Sequence, residues 1–254
     1  MKVRFLLVLL LLATCNYATA NSEFIYRSGF EFALKLNDTG ITWAAEFPSG
    51  NNLNCSITGT NTSPQDCNDG RDVLFNDDSD GHAGFSYTKL DFSGNPLPAS
   101  AISWNCVKDN VTGLIWEVKL VNVGSIHYYE NTYKWGGLTA IGLGTGPGTY
   151  YSDWNDLVNG SNNESLCGLN NWRVPTVSEF STLINKDANS PAIDADYFPY
   201  TASISPNLLF FWTSSPIANP GNQGYAWSIN FITGTNSFRD RTVTQRVRLV
   251  SSGQ

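Results

Sequence analysis

Apolar and polar positions alternate in several short stretches of this chain, and follow a helical period in one well-marked place. Phe32, Leu34 and Leu36 alternate with Glu31, Ala33 and Lys35, and the turn Asp38-Thr39-Gly40 leads into Ile41-Thr42-Trp43, so residues 21–47 are predicted to form strands. Residues 84–92 return to strand-like alternation and end at Gly94-Asn95-Pro96. Leu114, Trp116, Val118 and Leu120 share one face of the clearest half-buried strand, which leaves Glu117 and Lys119 on the other. Residues 208–213, 225–231 and 246–250 read as successive strands of an antiparallel sheet, and in the second of them Tyr225, Trp227, Ile229 and Phe231 face one way.

The helical period starts at Thr176. Thr176 and Glu179 have the spacing of a capping box, in which each side chain covers the other residue's backbone N–H. Pro175 and Phe180 flank it as an apolar staple, and Val177, Phe180, Leu183 and Ile184 fall on one helix face. Pro175 keeps Val174 extended, and Asp153-Trp154-Asn155-Asp156-Leu157 suggests a second helix start. The pattern predicts an α+β fold: a twisted antiparallel sheet, one or two short helices and long loops.

Composition adds a compartment. Lys2 and Arg4, an apolar stretch over residues 5–13 and the small residues Ala18 and Ala20 have the form of an export signal over residues 1–20. Thr14 before Cys15 fits a lipoprotein cleavage box poorly, so ordinary cleavage is favoured over a lipid anchor at Cys15. The protein is therefore expected in the periplasm, at the outer surface or in the medium. No later apolar run is long enough for a transmembrane segment. Removing Lys2 and Arg4 takes the formal charge from −7 to −9, which gives no support for binding nucleic acid or for a polybasic membrane patch. Four cysteines remain, Cys55, Cys67, Cys106 and Cys167, an even number that reads as two disulfides in an exported chain. Three pairings exist, and Cys55–Cys67 with Cys106–Cys167 is favoured.

Residues 49–80 are rich in Asn, Ser, Thr, Asp and Gly and read as a long polar loop stapled by Cys55–Cys67. Within it Asn76, Asp78 and Asp80, followed by Gly81, match the opening of a calcium loop, although Tyr87 stands where an EF-hand has its glutamate. Ca2+ is the one cofactor this suggests, against the alternative of a solvated acidic turn. The glycine-rich run 136–148 lacks the Gly-Lys-Ser/Thr ending of a phosphate loop and reads as a surface loop.

Five motifs in order carry a family resemblance: Asp109-Asn-Val-Thr-Gly-Leu-Ile-Trp-Glu-Val-Lys, Asn171-Trp-Arg-Val-Pro-Thr-Val-Ser-Glu-Phe, Phe211-Trp-Thr-Ser-Ser, Ala226-Trp-Ser-Ile-Asn-Phe and Arg246-Val-Arg-Leu-Val. Over residues 106–251 the chain resembles the bacterial Lcl C-terminal domain, the C-terminal domain of a Legionella collagen-like adhesin. Residues 21–105 then form an N-terminal strand-and-loop extension. The resemblance implies a C-type-lectin-like fold shared with formylglycine-generating enzymes, and a polysaccharide or glycosaminoglycan-like ligand. It does not carry an activity. The oxidases of this fold need reactive cysteines near their C-terminus, and none follows Cys167 here. The iron-dependent sulfoxide synthases need a histidine cluster, and this chain has only His82 and His127.

The expectation is a non-catalytic, exported binding or adhesion module. The alternatives are a structural module of the cell envelope with a protein partner and, after it, an uncharacterised hydrolase. Aromatic residues make up 13% of the chain. Trp43, Trp116, Trp172 and Trp227 lie in strands or at the junction and are expected in the core; Trp135, Trp154 and Trp212 lie nearer loops and strand ends and are candidates for stacking on sugar. Arg239, Arg241, Arg246 and Arg248 are the only basic concentration; Arg239 and Arg241 are the leading candidates to hold a sulfate or carboxylate.

Overall fold

Phe180 stands between two sheets and explains why the capped helix is where it is. Its ring stacks on Trp116 at 5.5 Å and meets Phe231 and Phe211 edge-on at 5.3 and 6.0 Å. Trp116 belongs to one sheet, and Phe211 to the other. A computed structural model describes residues 37–253 apart from positions 47, 56–64, 76, 138–153, 189, 202–209 and 219. The expected strand at residues 31–36, the export signal, Cys15, Asn76 and most of the glycine-rich run lie outside the described residues.

The described elements are short. Strands β1 (Ala44–Glu46) and β2 (Gly50–Leu53) pair as a hairpin. Two small helices follow, α1 (Asp66–Asp69) and α2 (Arg71–Phe75). Strands β3 (Tyr87–Leu90), β4 (Pro96–Leu97), β5 (Cys106–Asp109) and β6 (Ile115–Glu117) build most of a five-stranded sheet. Then come α3 (Asn155–Asn163) and the capped helix α4 (Val177–Ser181). Strands β7 (Phe210–Pro216), β8 (Tyr225–Asn230) and β9 (Thr235–Asp240) form a three-stranded sheet, and β10 (Val250–Ser251) closes the first sheet in the order β10-β6-β5-β3-β4. Every strand pair is antiparallel. The chain is thus α+β with few, short helices and two disulfides, Cys55–Cys67 and Cys106–Cys167, the favoured pairing.

The capping box is present as the sequence predicts. Thr176 Oγ1 accepts from Glu179 N, and Glu179 Oε2 accepts from Thr176 N. Arg173 adds a bidentate clamp on the same carboxylate, and with burial opposing it this holds the Glu179 acid below its ordinary range. Glu179→Ala removes the box and leaves Arg173 without its carboxylate. The expected loss is about 2 kcal/mol, measurable by urea unfolding at pH 7.

Three expectations change. The polar loop 49–80 holds α1 and α2, because Cys67 is tied to Cys55 and the buried Asp38 carboxylate accepts from Arg71 N at the start of α2. The third strand of the second sheet is β9, not residues 246–250. That last segment instead crosses between the sheets: Arg246 bridges Phe211 of β7, and Val250 pairs with Trp116 of β6. Finally, β6 is not half-buried. Leu114, Trp116 and Val118 are in the core, but Glu117 and Lys119 on the opposite face are buried too.

A second core lies around Cys106–Cys167 and packs α3 against Trp135, Trp154, Trp172 and Trp212. Gly137, at φ +144°, permits the Trp135–Trp154 contact, since a Cβ there would fall 2.0 Å from Trp154 Nε1.

Candidate functional site

The sheet β7-β8-β9 carries a groove at its β9 side. Its volume is about 700 Å3, within the range of small-ligand clefts, and its walls include Phe210, Tyr225, Phe238, Arg239, Val243 and Gln245. The hairpin register makes this surface. Trp227 lies opposite Phe238 and Tyr225 opposite Asp240, so one face of β8 and β9 collects aromatic rings. Phe238 remains 52% exposed, and Tyr225 meets it edge-on at 5.7 Å. The Arg239 guanidinium lies 3.8 Å from the centre of the Phe210 ring. Two polar atoms in this wall have no hydrogen-bond partner among the described residues: Arg239 Nε, a donor, and Gln245 Oε1, an acceptor. Asp240 is in the same wall and accepts from both the backbone N–H and the hydroxyl of Thr242.

The arginines expected to act together are dispersed. Arg239 borders the groove. Arg241 is buried, with its guanidinium 4.1 Å from the Trp135 ring and Nε bonded to Tyr225 O, and burial lowers its pKa. Arg246 and Arg248 point inward. The corrected reading is therefore one groove arginine, not a surface cluster.

The tryptophans are corrected as well. Trp135, Trp154 and Trp212, the candidates for sugar contact, are completely buried. Trp135 Nε1 donates to Thr213 O and Trp212 Nε1 to Tyr133 O, so backbone carbonyls satisfy these two indoles, whereas Trp154 Nε1 has no partner among the described residues; all three rings fill the second core. Trp116 and Trp172 are core residues as expected, whereas Trp43 and Trp227 are only half-buried. Trp43 Nε1 donates to Asp187.

The calcium reading is not assembled among the described residues. Asp78 is exposed, and Asp80 accepts from Ser86 Oγ. His82, Asp194 and Asp196 lie close together, but Asp194 is already engaged by His82 N, His82 Nδ1 and Asp196 N. The Asp194 hydrogen bond raises the His82 pKa against the opposing effect of burial. An ion-paired turn accounts for this group.

A charge cluster that the sequence did not reveal sits on β6. Glu117 Oε1 accepts from Lys119 Nζ at 2.7 Å and meets His127 Nδ1 at 2.6 Å, and Oε2 accepts from Leu249 N at 2.8 Å. His127 Nε2 reaches Glu164 at the end of α3. Burial alone would raise the Glu117 pKa, but Lys119 and His127 outweigh it and bring the acid to about 2. Burial would lower the His127 pKa, and its bond to Glu117 raises it instead.

The model of the Lcl C-terminal domain family matches residues 105–251, more than half of the chain. No curated protein and no solved structure matches. Within the matched span lie the capping box, the β6 charge cluster, the β8–β9 groove and the inward-pointing arginines, and by that match the chain belongs to the Lcl C-terminal domain family.

Proposed function

We propose that this protein is an exported, non-catalytic binding module that recognises polysaccharide in the groove beside β9. The observation that carries the reading is the groove wall itself: exposed Phe238 and half-buried Tyr225 beside Arg239, with a donor on Arg239 and an acceptor on Gln245 that no described residue meets. A sugar ring offers an apolar C–H face for the aromatics and hydroxyls that both donate and accept. The presence of both Arg239 and Asp240 in one wall favours neutral or mixed-charge glycans over densely sulfated ones. An α+β chain of antiparallel sheets, few helices and two disulfides is compatible with the C-type-lectin-like fold that the family resemblance implies. Disulfide bonding supports an exported location, and no helix among the described residues is long and apolar enough to cross a membrane.

The test is a glycan array of neutral, acidic and sulfated polysaccharides, probed with calcium and then with chelator. Phe238→Ala and Arg239→Ala are each expected to weaken binding at least tenfold, about 1.4 kcal/mol, with an unchanged melting temperature. Loss of binding with chelator would show that binding needs a divalent cation. Val121 and Val123, two residues apart and 55% and 77% exposed, favour, as the second reading, an envelope module with a protein partner. A blank array from folded protein would select that reading.

A further inference from the structure

Three cationic side chains are closed inside the domain. Lys119, Arg246 and Arg248 are each 1% exposed or less. The two arginines converge on one residue, since Arg246 Nη2 donates to Thr201 O and Arg248 Nη2 to Thr201 Oγ1 at 2.7 Å. Lys119 is near enough for both guanidinium groups to depress its pKa, after burial itself.

The carboxylate among them is already engaged. Glu117 gives one oxygen to Lys119 and His127 and the other to Leu249 N. It can neutralise one of the three cations; the exposed Glu130 acts on Arg246 from the surface, and an excess of positive charge remains among these buried side chains. Burial and the neighbouring Arg248 bring the Arg246 pKa down to about 9, and burial brings Arg248 down to about 10. Burying a charge without a counter-charge costs several kcal/mol.

Hydrogen-bond donors are left over in the same place. Arg246 Nε, Arg248 Nε and Arg248 Nη1 are buried and have no partner among the described residues. Aromatic rings account for only part of the guanidinium surface. Phe211 lies 4.2 Å from Arg246, while Phe198 and Phe211 lie 5.0 and 5.4 Å from Arg248. Ring faces attract the cation, but the N–H groups lie in the guanidinium plane and still need acceptors at its edge. The buried Tyr87 hydroxyl, electrostatically linked to Arg248, also has no hydrogen-bond partner among the described residues.

We propose that Arg246, Arg248 and Lys119 hold a small anion of the size of chloride inside the domain. Water could accept from two of the N–H groups but would leave the excess positive charge in place. The site is separate from the β9 groove and does not depend on glycan binding.

The test uses the mature chain with both disulfides intact, exchanged into methanesulfonate buffer at pH 6. Sodium chloride or bromide then replaces methanesulfonate at constant ionic strength, and the unfolding midpoint is recorded. A saturable rise in midpoint with chloride and bromide is expected, following the logarithmic dependence of a ligand that binds only the folded state. Bromide-soaked crystals should show an anomalous peak beside Arg248 Nε and Nη1. Lys119→Met should raise the halide concentration for half-effect at least tenfold, and Arg248→Met should abolish the response if it folds. The wild-type titration and the bromide peak stand without either variant. Equal midpoints in chloride and methanesulfonate, or a water with no anomalous signal at that position, would overturn the proposal. A halide effect unchanged by Lys119→Met would overturn the placement.

Discussion

Glu117→Gln is expected to cost about 4 kcal/mol and to lower the unfolding midpoint by roughly 10 °C. The carboxylate is completely buried, and it is the anion on which Lys119, His127 and Leu249 N converge. Glutamine keeps the shape but withdraws the charge, so Lys119 and the arginines are left buried with less compensation. Adding Lys119→Met should recover more than 1 kcal/mol, because it removes the cation that had lost its partner. The pH profile separates this from a packing defect. The His127 pKa is raised above its ordinary 6.5, so its stabilisation is complete below pH 6.5 and lost as pH rises through the raised value. The Glu117 pKa is lowered from 4.5 to about 2, so its stabilisation is complete above pH 4.5 and lost as pH falls towards 2. The difference between wild type and Glu117→Gln should therefore peak between about pH 4.5 and 6.5 and shrink on both sides. Parallel stability profiles from pH 3 to 8 would sink this account.

Local patterns were legible in the sequence, and contacts between distant segments were not. Thr176 and Glu179 are three residues apart, and their reciprocal bonds are set by the helix start alone. The α+β class and the strands at β3, β6, β7 and β8 follow from alternation within a few residues. The same alternation misplaced Glu117 and Lys119: polar residues on the second face of a strand normally meet solvent, but here that face is covered. Their compensating partners, His127 and Leu249 N, come from 10 and 132 residues away in the chain. The tryptophans failed for a related reason. Trp135 and Trp212 sit beside irregular backbone, which looks exposed in sequence. In the fold that backbone supplies the carbonyls of Thr213 and Tyr133 that let an indole be buried with its N–H satisfied. Composition named Arg239 and Arg241 together, and only the fold separates them: Arg239 lies on β9 at the edge of a sheet, whereas Arg241 is buried. Phe238 was not singled out, because alternation in β9 is weak and its place opposite Trp227 is set by the hairpin register.

Removing the Cys106–Cys167 bridge is expected to cost about 4 kcal/mol, against less than about 3 kcal/mol for Cys55–Cys67. The first bridge closes 61 residues of sequence separation and the second 12, so the first restricts the unfolded chain more. Position adds to the difference. Cys106 is a fully buried residue of β5, and its partner lies in a tight turn at Leu166–Gly168 in the second core. Ser165 and Cys167 both have left-handed backbone there, at φ 53° and 52°, a conformation that side chains other than glycine disfavour. Gly94 packs against the same turn so closely that a Cβ would lie 2.4 Å from Cys167 O. Cys55, by contrast, is part-exposed and joins α1 to the peripheral β1–β2 hairpin. Mild reductant should therefore open Cys55–Cys67 first with a small change in unfolding midpoint, and Cys106–Cys167 should resist until the domain unfolds. The comparison is direct: urea unfolding of Cys55→Ala/Cys67→Ala and of Cys106→Ala/Cys167→Ala. Equal losses would mean that the second core is held by its tryptophans and α3 alone. A larger loss from Cys55–Cys67 would place the stability of the domain in its N-terminal hairpin and small helices.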